Sequence, residues 1–137
     1  MQRIFALAAF VAMTGCGSYQ VSDIGERGGY CSNVRLLGVE NQDEYLAALQ
    51  DQGYINSIDV ETFRESVAAG PNSRMIATGM TDCGVRMVWG APDDIDVYGG
   101  TYGRSETWMY IDNGYYSDDY HFINFGQNGT VTSWAFD

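Results

Sequence analysis

Residues 105–137 read SETWMYIDNGYYSDDYHFINFGQNGTVTSWAFD. Three runs within this stretch, 106–111, 120–125 and 131–136, are rich in aromatic and β-branched residues, roughly alternate in polarity, and are separated by Gly, Asn, Asp and Ser. A period of two puts successive side chains on opposite faces of an extended chain, so these runs predict three consecutive strands. Between the last two lies Gln127-Asn128-Gly129. Asn-Gly supplies the two left-handed positions of a type I′ hairpin, which makes those strands antiparallel neighbours.

Upstream the period becomes helical. Asn41 is placed as the cap of a helix over 41–51, with Glu44 completing a capping box, Tyr45, Leu46 and Leu49 as its apolar side, and Gly53 just past its end. In 57–70 Asp59 is the expected cap and Ile58 is positioned to staple onto Phe63. Val60, Phe63, Val67 and Ala68 form the stripe, and Gly70 with Pro71 stops the helix. Thr81 opens a third helix carrying Val85, Val88 and Trp89, so short that it needs packing to persist. The acidic segment 91–104, with Gly99, Gly100 and Gly103, reads as a long mobile loop. Helices followed by a meander predict an α+β layer: short helices on one face of a three-stranded antiparallel β-sheet, with the other face left for solvent or a partner.

The N-terminus carries a different signal. A lone Arg3, an apolar run from Ile4 to Met13, and then Thr14, Gly15 and Cys16 have the form of a bacterial lipoprotein leader, too short to span a bilayer. The reading divides the chain into a signal peptide at 1–15, a lipidated flexible tether at 16–40 and a folded domain at 41–137. Two or more acyl chains on Cys16 would hold the protein on a membrane without crossing it. Gly17 stands where an Asp would mark retention at the inner membrane, so similarity to known sorting signals places the protein at the outer membrane, facing the periplasm.

Charge narrows the function classes. The chain has 7 basic and 18 acidic residues, a formal charge of −11 at neutral pH, and no lysine. A surface so acidic repels phosphate backbones and anionic headgroups alike, which excludes nucleic acid and leaves acyl chains as the membrane attachment. The same balance suits proteins kept soluble in saline surroundings.

With Cys16 assigned to lipid, Cys31 and Cys83 remain in a compartment where disulfides persist. Closing a loop of about fifty residues would stabilise the fold by roughly 4 kcal/mol on the chain-entropy model. The alternative is catalytic: Cys83 falls in the first turn of a predicted helix, where the macrodipole lowers a thiol's pKa, and His121 is the one histidine available as a base. His121 itself sits between Tyr120 and Phe122 in an alternating run and reads as a sheet residue. Asp94, Asp96 and Gly99 match the first, third and sixth positions of a calcium loop, but Tyr98 and Ser105 fall where oxygen ligands are needed, so no metal is assigned. Nothing singles out a catalytic carboxylate pair among Asp93, Asp94, Asp96, Asp118 and Asp119, and no cofactor is implied. Tyr98, Tyr102, Tyr115 and Tyr116, all in expected loops, are the residues a protein-binding rim would use.

Residues 75–90 read MIATGMTDCGVRMVWG, followed by Ala91, Pro92 and Asp93, a loop, Trp108 with Tyr110, and a turn at Asn128 and Gly129 before Trp134. This order resembles the SmpA/OmlA/BamE family of small outer-membrane lipoproteins over roughly 59–134. The resemblance implies helices packed on a three-stranded sheet, similar to β-lactamase inhibitory proteins, with Gly79 as a sharp turn, Met80 as a plug, Thr81 as a cap, and Gly90 and Pro92 as a stop. Three features depart from it: the extra helix at 41–51, the strong acidity, and Gly84, which stands where the family places Glu or Gln to complete the capping box and should weaken the helix by roughly 1 kcal/mol. The expected role is a non-enzymatic accessory or scaffold in envelope assembly that contacts envelope proteins, with β-barrel assembly components as candidates. An inhibitor or sensor of a periplasmic enzyme is the alternative, and a thiol enzyme using Cys83 the third reading.

Overall fold

The computed structural model describes residues 30–100 and 103–136. Cys16 and Tyr102 lie outside them. A 3-10 turn at Val34–Leu36 leads into α1 (Val39–Asp51), α2 (Ser57–Ala69) and α3 (Asp82–Trp89), and then into β1 (Asp94–Gly100), β2 (Gly103–Asn113), β3 (Asp118–Phe125) and β4 (Val131–Phe136). The strands form one antiparallel sheet in the order β1-β2-β3-β4. The fold is therefore α+β, with a fourth strand beyond the three expected.

That strand comes from the acidic segment expected to be a loop. Asp94, Ile95, Asp96, Val97 and Tyr98 alternate in the strand sense, and the flanking glycines belong to a hairpin in which Gly100 pairs with Gly103. The β3–β4 connection also differs from the expected type I′ turn. Among the described residues no non-glycine has positive φ; Gly129 alone does in this turn, at 80°. The Gly129 N–H donates to the Gly126 carbonyl (3.0 Å) and the Gly126 N–H to that of Thr130 (3.0 Å), the pattern of a turn closed by one left-handed glycine. Asn128 keeps ordinary φ because its side-chain oxygen accepts from Thr130 Oγ1 (2.9 Å).

Two helix starts differ from those expected. α1 begins at Val39 after Gly38, which makes no side-chain cap, and Asn41 lies inside the helix. The preceding segment is held instead by the buried Gln42 amide, which donates to the Leu37 carbonyl at 2.8 Å. Asn56, rather than Asp59, caps α2: its side chain accepts from the Asp59 N–H while the Asp59 carboxylate accepts from the Asn56 N–H, both at 2.9 Å. Ile58 is exposed and lies beside Gly79 instead of forming the expected staple. Residues 30–38, read as the end of a tether, belong to the folded body, with Cys31 and Val34 in the core.

α3 is buried along its whole length, between the sheet and α2. Thr81 caps it as expected, accepting from the Gly84 N–H at 3.0 Å. The sheet face toward α3 carries Glu106, Trp108 and Tyr110 from β2 opposite Phe125, Ile123 and His121 from β3. Most of these are core residues, and Trp108 stacks on Phe125 with centroids 4.6 Å apart.

Candidate interaction surface

Register separates the sheet into two faces. On the covered face the Trp89 indole of α3 meets Tyr110, its N–H donating to the Met75 carbonyl (2.9 Å), while the Tyr110 hydroxyl donates to the Gly90 carbonyl (2.8 Å). Arg74 lies over the Trp89 ring (4.6 Å) and pairs with Asp112, whose carboxylate also meets His121 Nε2 (2.9 Å). Burial works against ionisation of Asp112, but Arg74 and His121 outweigh it and hold its carboxyl below the ordinary range. His121 is thus fixed by a carboxylate and packed edge-on to Trp89 and Phe136, as a sheet residue.

A second polar cluster sits at the start of α3. Asp59 reaches across from α2, accepting from the Thr81 N–H (2.9 Å) and the Thr81 hydroxyl (2.7 Å). A Cβ at Gly84 would overlap that carboxylate. The capping-box acid absent from position 84 is therefore supplied by another helix, and glycine is what leaves room for it. Burial pushes the Asp59 carboxyl up to about 6 and the Asp82 carboxyl up to about 7, the latter despite a hydrogen bond from the Cys83 backbone and the nearby Arg86 charge. Arg86 is itself buried, over the Trp108 ring at 4.7 Å.

Cys31 and Cys83 are joined as a disulfide, Cα atoms 5.2 Å apart. Cys83 carries no thiol in this state and sits in the core, which removes the nucleophile from the thiol-enzyme reading. Beside the bridge a groove of about 860 Å³ is lined by Arg35, Arg74, Trp89 and Asp112 among others. Its arginines are engaged: Arg35 donates to the Gly70 (2.6 Å) and Ser73 (2.7 Å) carbonyls just past the end of α2, and Arg74 pairs with Asp112. Among the described residues no group of three or more His, Cys, Asp or Glu is placed to hold a metal. Asp94 and Asp96 occupy alternate positions of β1 instead of a calcium loop.

Among the described residues the opposite face is the less buried of the two. In register it carries Met109 and Ile111 of β2 beside Phe122 and Tyr120 of β3, with Ala135 of β4 next to Phe122. A polar row runs alongside: the Thr107 hydroxyl donates to Asn124 (2.7 Å), whose amide donates to Ser133 (3.0 Å). At the β1 margin Asp94 and Asp96 lie opposite Met109 and Thr107, and neither has an ion-pair partner among the described residues. The face thus has an apolar centre and a carboxylate margin.

Among the expected motif residues, Met80, Trp108 and Tyr110 are core, Gly79 and Gly90 take φ of 93° and 79°, and Pro92 follows α3. Trp134 sits on β4 at 38 % exposure. The tyrosine rim is divided: Tyr98 is on β1 near the first hairpin, whereas Tyr115 and Tyr116, ring to ring at 4.8 Å, occupy the β2–β3 turn at the other end of the sheet. Asp59, Arg35 and the Met109/Phe122 centre were missed. The last was legible, since a strand with one buried face exposes the alternate residues. No family model, curated protein or solved structure matches the chain.

Proposed function

We propose that the protein is a non-enzymatic accessory or scaffold lipoprotein, held at the outer membrane and facing the periplasm through acyl chains on Cys16, that serves envelope assembly by protein contact. The observation that carries the reading is the sheet face turned away from α3, where Met109, Ile111, Tyr120 and Phe122 stand together in register and stay partly or fully exposed. The ordered motif from Gly79 to Trp134 and its likeness to SmpA/OmlA/BamE lipoproteins support the same reading, with a fourth strand and an extra helix as additions. Mature protein photocrosslinked from the open face in membranes tests it. The expected result is a discrete envelope partner, lost on Phe122→Asp and independent of Arg74 or His121. Unchanged crosslinking in Phe122→Asp overturns the reading.

The carboxylates of β1 favour a second reading, an inhibitor or sensor that covers a basic cleft of an envelope enzyme. Identity of the crosslinked species separates the two: barrel-assembly components support the scaffold, and a soluble hydrolase supports the inhibitor.

A further inference from the structure

We propose that the outer edge of β1 is a docking strand for an extended partner segment in which basic residues alternate with apolar ones. This rests on the protein-binding reading above and specifies the partner's chemistry.

The sheet ends at β1, and among the described residues β2 is the one strand paired with it. A strand left this way presents backbone donors and acceptors to any extended chain. Its side chains decide which chain is accepted. Asp94 and Asp96 point to the open face and Ile95 and Val97 to the other, where Val97 stays 45 % exposed. A second copy of β1 would bring carboxylates against carboxylates, directly or on the diagonal, and the net charge of −11 adds to the repulsion. A segment with Lys or Arg at alternate positions would set those charges beside Asp94 and Asp96, and its intervening apolar residues would cover Ile95 and Val97. Main-chain bonds would supply affinity and the alternation specificity.

The other edge lacks this selectivity. β4 has no charged residue from Val131 to Phe136, and its first residue is already bonded on the outer side, Val131 N–H to Met80 (2.8 Å) and Gly79 N–H to Val131 (2.9 Å).

The test titrates an end-blocked peptide of alternating lysine and valine into the full chain in non-ionic detergent, following amide resonances. Shifts centred on 94–98 are expected, with affinity falling about fivefold as salt rises from about 50 to about 300 mM. The Asp94→Asn/Asp96→Asn double variant and a peptide with glutamate for lysine should each bind at least about tenfold more weakly. Equal binding by the double variant, or shifts centred on 109–122 or on β4, overturns the edge proposal. If the peptide leaves β1 untouched while Phe122→Asp still abolishes crosslinking, the edge fails and the docking reading stands. If it binds β1 while crosslinking survives Phe122→Asp, the edge stands and the open-face reading fails.

Discussion

The two faces of the sheet share one backbone and one set of ladder bonds, yet one is closed by α3 and the other stays partly exposed. On the closed face, packing is joined to buried charge: Asp59 and Asp82 lie at the start of α3 and Arg86 over Trp108, all without water around them. On the open face the same strands carry Met109 beside Phe122 and a polar row in which Thr107 donates to Asn124 and Asn124 to Ser133. Such a difference teaches where mutations should be felt. The closed face is overdetermined and intolerant, because a buried carboxylate has a single satisfactory geometry. On the open face, where side chains stay partly exposed, substitutions should be felt less.

Removing the bridge that ties residues 30–38 to α3 should break the closed face most severely. Cys31→Ser with Cys83→Ser should cost about 4 kcal/mol on the chain-entropy model, read as a lower urea midpoint against the oxidised protein. Gly84→Ala comes next, since its methyl must displace the Asp59 carboxylate from the start of α3. A loss of about 3 kcal/mol is expected, and relief by the further change Asp59→Ala would identify the clash as its source.

Acidity should act on the same face in the direction opposite to ordinary acid denaturation. The folded state raises Asp59 to about 6 and Asp82 to about 7, above the unfolded carboxylate value of 3.8. Their contribution is therefore complete below the unfolded value and is lost as pH climbs through the folded ones. Urea midpoints should rise as pH drops from about 8 to about 5, and Asp59→Asn should flatten that rise. A flat profile in the unaltered protein would show that these carboxylates are not buried as described.

The smallest effect on stability belongs to the open face. Phe122→Asp should shift the unfolding free energy by less than about 1 kcal/mol, because the residue lies on the partly exposed face. Should it prove as damaging as Gly84→Ala, the face is not open, and the contrast between the two sides collapses.

Much of this was legible in the sequence. The alternation of 106–111, 120–125 and 131–136 marked β2, β3 and β4, and Thr81, Gly90 and Pro92 bracketed α3. The cysteine count left one pairing once Cys16 was set aside, and that pair is joined. β1 escaped because three nearby glycines and a run of aspartates outweighed the short alternation from Asp94 to Tyr98, although the signal was present. The division of the tyrosines between opposite ends of the sheet required the register, which no spacing along the chain supplies.

Local pattern by itself determined strand periodicity, the α3 cap and stop, and the class of fold, since each follows from neighbours a few residues apart. Only the tertiary structure decided that Asp59 caps a helix not its own, that Arg35 ties the 3-10 turn to the end of α2, and which sheet face α3 closes. Those outcomes depend on groups brought together from distant positions, where burial makes a carboxylate seek any donor within reach, and distance along the chain carries no information about which donor that is.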